Sequence, residues 1–543
     1  MFGLMQDRQM LVSGLLSYAE QYHPDVAIVS RNCEGPLVHL TYRSFAARVR
    51  QLARALERMG VEKGDRIATL AWNTHRHMEL YFAVSGIGAV LHTVNPRLFP
   101  EQIDYIVNHG GARILFFDIT FGALVESQRA SFREVETVVA MTDADHLGDM
   151  PEGSLAYEDL IGGESAAPLD WPQFDERTAS ALCYTSGTTG NPKGVLYSHR
   201  STVLHSMLVC QADGLKLSCR DSTLLLVPLF HVNAWGVPYA SALCGAKLVL
   251  PGPHLDGKSI FDLAKAERCT FTLGVPTVWL GLFQYMDQNP EADASQLCLE
   301  RVVIGGSAPP RLIIERFRAM GVEATQAWGM SETGPVVTVC NLLPEQEDLP
   351  EKEQVDLKML QGRAMYGVEL RVVNDEGMIL PHDGKQSGDL QVRGPWVTSG
   401  YFRGEGGDVL DPDGWFSTGD VATITPSGFV RLTDRSKDVI KSGGEWISSI
   451  DLENAAVSHP AVHEAAVIGR PHVKWQERPM MIVVLKPGCA ITHAEMNAHL
   501  EAHVAKWWLP DDLVVVEELP HTATGKLQKM KLREQFADHV LPA

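Results

Sequence analysis

One short segment of the sequence has the residue types of a phosphate-binding loop. The eleven residues of Tyr184–Gly194 read Tyr-Thr-Ser-Gly-Thr-Thr-Gly-Asn-Pro-Lys-Gly and follow the apolar residues Ala181–Cys183. Glycines allow tight, partly left-handed turns whose backbone N–H groups converge, while hydroxyls and a lysine add donors for phosphate oxygens. The order differs from a Walker loop, which disfavours an ordinary P-loop fold. For such a segment alone, the alternative is a polar surface turn.

Alternating helices and strands must position this loop. Tyr42–Arg58 has apolar residues at helical spacing, and Met78–Ala89 is again helical. Short apolar stretches predict strands at Arg66–Ala71, Val90–Val94, Arg113–Phe117, Thr223–Val227 and Lys247–Leu250. This alternation is typical of largely parallel sheets covered by helices, which is an α/β fold.

The last third of the chain has short predicted strands, separated by turns and loops. Asp348–Glu353 is charged and contains a proline, so we interpret it as a solvated surface loop. Short strands are predicted after it, at Val368–Asn374, Gly388–Arg393, a hairpin within Val421–Leu432, Ala465–Ile468 and Met480–Leu485. We therefore expect a large N-terminal domain (1–433) with a β-rich subdomain, followed by a small α+β C-terminal domain (434–543).

The composition excludes several classes of function. With 47 Lys and Arg against 67 Asp and Glu, the formal net charge is −20, which disfavours a nucleic-acid partner. The nine cysteines stand singly with no C-x-x-C pair, so neither a disulfide framework nor a zinc site is predicted. We see no signal peptide and no apolar run long enough to span a bilayer, and expect a soluble, cytoplasmic protein without stable membrane insertion.

Taken together, the loop and seven later segments resemble the adenylate-forming superfamily, which includes acyl-CoA synthetases, luciferases and peptide-synthetase adenylation domains. The later segments occur in the family's order along the chain, at Phe230–Trp235, Gly305–Pro309, Trp328–Glu332, Ser417–Asp420, Asp434–Asp438, Lys441–Glu445 and Pro520–Lys526. Each is weak alone, but their common order is specific. The resemblance implies ATP and coenzyme A as substrates, Mg²⁺ as the metal and a mobile C-terminal domain, and it allows a homodimer, since many relatives form one.

The resemblance also implies roles for individual residues. Glu332 and Thr185 would hold Mg²⁺, and Asp434 would be the hinge between the domains. Many relatives have tyrosine where this chain has Trp328, so a hydrogen bond from that position is in doubt. The residues expected to bind ATP or AMP are Thr185, Ser186, Gly187, Thr188, Thr189, Gly190, Lys193, Gly306, Ser307, Ala308, Pro309, Ala327, Trp328, Gly329, Met330, Ser331, Asp420 and Arg435.

Lys526 is the strongest catalytic candidate, together with Glu332 and His231. Its ammonium group would bridge the acid's carboxylate and the α-phosphate, two anions that otherwise repel each other. His231 would change rotamer between the half-reactions or would be a structural residue, and both interpretations stay open. The acyl pocket is expected at His231, Trp235 and Gly305, and the loop beside coenzyme A at Lys441, Gly443, Gly444 and Glu445.

The identity of the acid is the least constrained expectation. The chain is most similar to the fatty-acyl-CoA synthetase branch, and within it to bacterial ligases for 3-methylmercaptopropionate, a thioether acid from dimethylsulfoniopropionate breakdown. Medium- or long-chain fatty acids are the alternative substrates. Two further interpretations are an adenylation enzyme that loads a carrier protein and a silent sensor of ATP or acyl-adenylate. A sensor is expected to lose Lys526 or Glu332, and the sequence has both.

Overall fold

The computed structural model describes residues 1, 3–185, 191–442, 445–521 and 527–542. Several short 3₁₀ turns connect its elements. The α-helices of the described ranges are α1 (Val12–Tyr22), α2 (Tyr42–Arg58), α3 (His75–Gly86), α4 (Pro100–Gly110), α5 (Gly122–Gln128), α6 (Tyr157–Gly162), α7 (His199–Val209), α8 (Val237–Cys244), α9 (Gly257–Ala266), α10 (Pro276–Gln288), α11 (Arg311–Ala319), α12 (Pro344–Glu347), α13 (Glu351–Lys358), α14 (Ser449–Val457), α15 (His493–Leu500) and α16 (Lys529–Gln535).

The strands alternate with these helices through the first two thirds of the chain. They are β1 (Ala27–Arg31), β2 (Leu37–Thr41), β3 (Arg66–Leu70), β4 (Val90–Thr93), β5 (Ala112–Phe117), β6 (Thr137–Ala140), β7 (Leu155–Ala156), β8 (Ala179–Tyr184), β9 (Gly194–Ser198), β10 (Ser222–Leu225), β11 (Lys247–Leu250), β12 (Phe271–Gly274), β13 (Arg301–Ile304), β14 (Glu323–Gly329), β15 (Val336–Val339), β16 (Arg363–Ala364), β17 (Glu369–Val373), β18 (Gly388–Arg393), β19 (Phe416–Ile424), β20 (Val430–Arg435), β21 (Ile440–Ser442), β22 (Glu445–Ile447), β23 (Val462–His472), β24 (Gln476–Leu485) and β25 (Asp512–Val515).

Two large, mostly parallel sheets form the first part of the molecule. One has nine strands in the order β16-β15-β14-β13-β12-β10-β11-β1-β2, and the other has seven in the order β7-β6-β5-β3-β4-β8-β9. The largest apolar core contains helices α2, α3, α7 and α8 and side chains from both sheets. This arrangement confirms the predicted α/β fold class, since parallel strands are connected by helices that cover the faces of the sheets.

Two smaller sheets complete the fold. The four-stranded antiparallel sheet β17-β18-β19-β20 is the expected β-rich subdomain, and the last sheet combines β21 to β25 with helices α14, α15 and α16. Strand β20 ends at Arg435 and therefore runs across the expected domain boundary at 433/434. The boundary itself stays a prediction.

Helix α2 shows why local sequence predicts this part of the fold well. Thr41 accepts a hydrogen bond from the Ser44 N–H in a reciprocal capping box, which satisfies amide groups that lack partners in the helix. The apolar positions Phe45, Val49 and Leu52 recur at helical spacing and are fully buried. The predicted helix Tyr42–Arg58 is confirmed with the same bounds.

The prediction of a surface loop at Asp348–Glu353 is wrong for its second half, because helix α13 begins at Glu351. Pro350 precedes the first helical residue, and Glu351 and Glu353 lie in the first turn. Acidic groups near a helix N-terminus interact favourably with its dipole, so the charges that suggested a loop favour a helix start. Among the described residues, none of the helices has the length and apolar character needed to cross a bilayer.

Candidate nucleotide and acid site

Two predicted segments follow the carboxyl ends of neighbouring strands in the nine-stranded sheet. Strands β13 and β14 are parallel, so Gly305–Pro309 after β13 and Met330–Glu332 after β14 emerge side by side. A side chain at Gly305 would lie 2.7 Å from the Trp235 ring and 2.9 Å from the Ala327 carbonyl oxygen. The structure thus brings two predicted acyl-pocket residues, Gly305 and Trp235, into contact, and only glycine leaves room for that indole.

Trp328, Asp420 and Arg435 form one contact cluster, although they come from different sheets. Asp420 on β19 pairs with Arg435 on β20, and its Oδ1 lies 2.8 Å from the Arg435 Nε. The indole Nε1–H of Trp328 donates a hydrogen bond to Asp420 Oδ2 at 3.1 Å. Trp328 and Asp420 are buried. An indole at this position therefore does make a hydrogen bond, and that bond fixes Asp420 beside the aromatic ring.

Other predicted nucleotide-binding residues lie in the two segments that follow β13 and β14. After β13, Gly306 has a φ of +82° and is exposed like Ser307, whereas Ala308 is half-buried and Pro309 is buried. After β14, a side chain at Gly329 would lie 1.8 Å from the Pro335 carbonyl oxygen, so the chain is closely packed there. The Ser331 carbonyl accepts a hydrogen bond from the Tyr197 hydroxyl at 2.6 Å, which ties this turn to the seven-stranded sheet.

The described ends of the phosphate loop lie against each other. Strand β8 ends at Tyr184 and β9 begins at Gly194, and the two strands are antiparallel neighbours. The Thr185 N–H donates to the Lys193 carbonyl oxygen at 2.9 Å, and the Lys193 N–H donates to Thr185 Oγ1 at 3.4 Å. The predicted phosphate ligands Ser186, Gly187, Thr188, Thr189 and Gly190 lie outside the described residues.

Glu332 is a buried carboxylate and not a solvated one. It lies in a 3₁₀ turn at Ser331–Thr333 and is 7% exposed. Its Oε1 accepts a hydrogen bond from the Tyr401 hydroxyl at 2.8 Å, and its backbone carbonyl accepts one from the Thr398 N–H at 2.7 Å. Burial, and then the negative charge of Glu332, raise the pKa of Tyr401, so this hydroxyl stays a donor at neutral pH.

Sequence reasoning missed a set of aromatic and charged residues around Tyr184, the first residue of the predicted phosphate loop. The Tyr184 hydroxyl lies 2.6 Å from His109 Nδ1, and His109 Nε2 lies 3.4 Å from Glu405 Oε1. Tyr105 donates to the same Glu405 oxygen at 2.8 Å, and its ring stacks on His109. These contacts fix the first residue of the loop. No local pattern could have revealed them, because Tyr105 and Glu405 are 300 positions apart.

The segment after His231 adopts a backbone conformation that its sequence does not suggest. Val232, Asn233, Ala234 and Trp235 all have φ between +48° and +56°, and Gly236 follows at +75°. Left-handed conformations cost roughly 1–2 kcal/mol per non-glycine residue, so surrounding contacts must hold them. One such contact is a hydrogen bond from the buried Cys183 thiol to Asn233 Oδ1 at 3.2 Å. Both interpretations of His231 stay predictions.

The predicted hinge residue Asp434 is 2% exposed. Its Oδ2 accepts hydrogen bonds from both the N–H and the hydroxyl of Ser449, the first residue of α14. Burial raises the pKa of Asp434. The side chain of this residue is therefore attached to the C-terminal sheet and its helices.

The predicted coenzyme A loop is described only at its ends. Lys441 is exposed on β21, and its Nζ lies 5.5 Å from the centre of the Trp446 ring. Glu445 begins strand β22. Gly443 and Gly444 lie outside the described residues, as does the catalytic candidate Lys526.

Comparison with known families identifies this combination of segments. The family model of the AMP-binding enzymes matches residues 16–402, which is most of the chain. This chain belongs to the AMP-binding enzyme family. A second model, the C-terminal domain of AMP-binding enzymes, matches residues 451–526. The resemblance predicted from the sequence is therefore confirmed.

Individual relatives match over nearly their full length. The medium-chain fatty acid–CoA ligase of Ectopseudomonas oleovorans is 48% identical over 100% of this chain and 98% of its own. The 3-methylmercaptopropionyl-CoA ligase of Ruegeria pomeroyi is 49% identical over 99% of both chains. Among solved structures, the anthranilate CoA ligase AuaEII in complex with anthranoyl-AMP has a TM-score of 0.86 at 25% identity, covering 98% of each chain.

The contact between Trp328 and Asp420 gives a first prediction for this AMP-binding enzyme. Trp328→Phe keeps an aromatic face and removes the donor to Asp420, and we expect the Kd for AMP to rise about 5- to 10-fold. Isothermal titration calorimetry measures this change directly. Trp279→Phe is the matched control, because Trp279 is fully buried and no described residue accepts a hydrogen bond from its indole nitrogen. An equal loss of AMP affinity in both variants would contradict a specific role of the bond.

Proposed function

We propose that this chain is an AMP-forming acyl-CoA ligase, which activates a carboxylic acid with ATP and transfers the acyl group to coenzyme A. The observation that supports this most is the meeting of Lys193 and Glu332 on either side of Tyr401. Lys193, the proposed phosphate-binding cation, precedes β9, and Glu332, the proposed metal-binding carboxylate, follows β14, yet both contact this one side chain. ATP activation needs both, because an anionic acid must approach an anionic triphosphate.

Mg²⁺ fits the donors that the site offers. It prefers carboxylate and phosphate oxygens and usually keeps several waters, so one protein carboxylate and a hydroxyl suffice. Glu332 supplies the carboxylate, and Thr185 is the proposed hydroxyl. The bound ion would neutralise charge that develops on the triphosphate.

The nucleotide is proposed to lie across the carboxyl ends of β13 and β14. Asp420 would accept hydrogen bonds from the ribose hydroxyls, while Arg435 and Trp328 hold its carboxylate in place. Gly306 leaves the backbone open for a flat base, and the Trp328 ring offers an aromatic face. AMP would then stay bound between the two chemical steps.

Two steps make up the proposed reaction. A carboxylate oxygen of the acid bonds to the α-phosphorus while the bond to pyrophosphate breaks, and Lys526 holds the two reacting anions together. The thiol of coenzyme A then bonds to the acyl carbon, and AMP leaves with the electron pair of the broken C–O bond. Residues 434–543 are proposed to rotate at Asp434 between the steps, which would bring Gly443 and Gly444 beside the thiol.

The proposed acid is 3-methylmercaptopropionate, with medium- or long-chain fatty acids as the alternative. Both substrate classes come from the relatives of this chain, at 49% and 48% identity. Trp235, whose ring lies against Gly305, and His231 are the proposed walls of the acid pocket. We propose that this indole closes the pocket near the reacting carboxylate, which would favour a short acid.

A substrate panel tests this proposal. We expect pyrophosphate release with 3-methylmercaptopropionate, and a thioester only when ATP and coenzyme A are both present. Pentanoate is the matched acid because a methylene replaces the sulfur, and butyrate, hexanoate and octanoate vary the length. Steady-state kcat/KM should be highest for 3-methylmercaptopropionate. The difference between acids that differ by one methylene should not exceed about 10- to 200-fold in kcat/KM.

Other outcomes would identify the competing functions. A maximum at octanoate would favour the fatty-acid alternative and contradict a short-acid pocket. AMP formation without any thioester would indicate loading of a carrier protein. Absence of turnover with every acid, in a protein that still binds ATP, would indicate a sensor and overturn the proposed ligase activity.

A further inference from the structure

Tyr401 lies between two groups of opposite charge that the proposed reaction needs separately. It is in the connection between β18 and β19, far in sequence from both. Its hydroxyl donates to Glu332 Oε1 at 2.8 Å, and the Lys193 Nζ lies 4.9 Å from the centre of its ring. The same side chain thus holds a carboxylate by its polar end and an ammonium group by its aromatic face.

Lys193 and Glu332 do not form an ion pair with each other in the described part of the chain, although both contact this one side chain. Opposite charges in a partly buried site attract strongly, and a direct pair would occupy the lysine and the carboxylate at once. We propose that Tyr401 is a positioning residue that keeps Lys193 and Glu332 apart, so that one stays available to phosphate and the other to the metal ion. This inference rests on the proposed function.

The backbone on both sides of Tyr401 is fixed, as this role requires. On one side, the Thr398 N–H binds the Glu332 carbonyl oxygen at 2.7 Å. On the other, Phe402 packs edge-on against His109, and its Cβ leaves no room for a side chain at Gly194. These contacts restrain the backbone that carries Tyr401, on one side through the turn at Glu332 and on the other through the start of β9.

The two contacts of Tyr401 have different consequences for Glu332 and Lys193. The Tyr401 hydroxyl donates to Oε1 of Glu332, and no described residue donates a hydrogen bond to Oε2, which we propose as the oxygen that binds the metal ion. The ring contacts Lys193 through its face, which restrains the ammonium group without accepting a conventional hydrogen bond from its three donors. Each contact can therefore be removed separately.

Two substitutions separate these effects. Tyr401→Phe removes the hydroxyl and keeps the ring, whereas Tyr401→Leu removes both. Mn²⁺ binding is measured by electron paramagnetic resonance in the presence of α,β-methylene-ATP, and metal-free ATP binding by equilibrium dialysis in EDTA. For Tyr401→Phe we expect about 10-fold weaker Mn²⁺ binding, with metal-free ATP affinity within about twofold of the wild type. For Tyr401→Leu we expect both to weaken, metal-free ATP by about 3- to 10-fold.

Tyr157→Phe is the matched control. The Tyr157 hydroxyl also donates to a buried carboxylate, that of Glu79, but neither residue belongs to the proposed site. Its thermal stability should fall, whereas its binding of Mn²⁺ and ATP should not change. The half-reactions provide a further test, because Tyr401→Phe should slow pyrophosphate release and leave thioester formation from added acyl-adenylate within about twofold.

The outcomes distinguish this inference from the proposed function. Wild-type Mn²⁺ and ATP binding in Tyr401→Leu, in an enzyme that still forms thioester, would overturn the positioning role alone. Equal losses of metal-free ATP affinity in the phenylalanine and leucine variants would overturn the separation of the two contacts. Failure of the wild-type protein to bind ATP or to release pyrophosphate with any acid would overturn both proposals.

Discussion

Replacing Lys526 with alanine is expected to lower the rate of pyrophosphate release by about 10³-fold, because one preorganised charge that stabilises a transition state contributes about this much. In the proposed reaction the ammonium group balances the charge of the attacking carboxylate and the α-phosphate. Its removal leaves two anions to approach without compensation. Pyrophosphate release in the presence of the best acid measures this step directly.

The second half-reaction provides an internal control for Lys526→Ala. Thioester formation from added acyl-adenylate and coenzyme A should remain within a few-fold of the wild type, since the proposed role is confined to adenylation. Lys385→Ala, at an exposed lysine in a turn, should leave both half-reactions unchanged. Pyrophosphate release at the wild-type rate in Lys526→Ala would remove this lysine from the mechanism, and equal loss in both half-reactions would indicate a structural role instead.

Sequence reasoning predicted most of the N-terminal architecture because local patterns determine it. Helix α2 and strands β11 and β18 have the predicted bounds, since their apolar spacing and their end signals agree. The order of the strands within each sheet was not predicted, because the rules for parallel strands joined by helices only restrict the possible orders. The prediction of a loop at Asp348–Glu353 was wrong from Glu351 onwards, because acidic residues are favourable both in loops and in first helical turns.

The positions of the predicted site residues were harder to obtain from the sequence. Trp328 and Asp420 are 92 positions apart, and Lys193 and Glu332 meet only through Tyr401. Such contacts depend on how separate sheets pack, which no window of local sequence encodes. The left-handed segment at Val232–Trp235 is a stronger example, since valine, alanine and tryptophan are not residues that favour positive φ.

The acidity of the chain places a further demand on the site. With a net charge of −20, long-range electrostatics repel ATP, so binding must depend on donors at short range. Lys193 and Arg435 are cations that the structure places at the proposed site, and each is held by a specific partner, Tyr401 or Asp420.

Lys529→Met is expected to lower the free energy of unfolding by about 3–5 kcal/mol, which is typical when one partner of a buried ion pair is removed. Lys529 is 8% exposed at the start of α16, and its Nζ lies 2.7 Å from Glu453 Oε1. It also donates to the Ser449 hydroxyl, which in turn donates to Asp434. Methionine fills a similar volume but leaves the buried carboxylates of Glu453 and Asp434 without a cation. Urea unfolding at pH 8 measures the change.

The pH dependence of this loss separates charge from packing. Burial raises the pKa of Glu453 to about 7, even though Lys529 opposes the shift. Because the folded carboxyl binds its proton more tightly than the unfolded one, whose pKa is about 4.3, the stability from this group is present at low pH and is lost as the pH rises towards 7. Without Lys529 the pKa rises further. The deficit of Lys529→Met relative to the wild type should therefore be largest at pH 8 and shrink towards about pH 5.

A double variant tests the cause. Lys529→Met combined with Glu453→Gln removes the uncompensated charge. The double variant should recover at least half of the lost stability, since the two residues are in contact. It should also remove most of the pH dependence of the deficit. A deficit of equal size at pH 5 and pH 8 would instead assign the loss to packing. Asp434 belongs to the same cluster, because Ser449 donates hydrogen bonds to its carboxylate. Loss of Lys529 therefore also weakens the contacts that hold the proposed hinge residue.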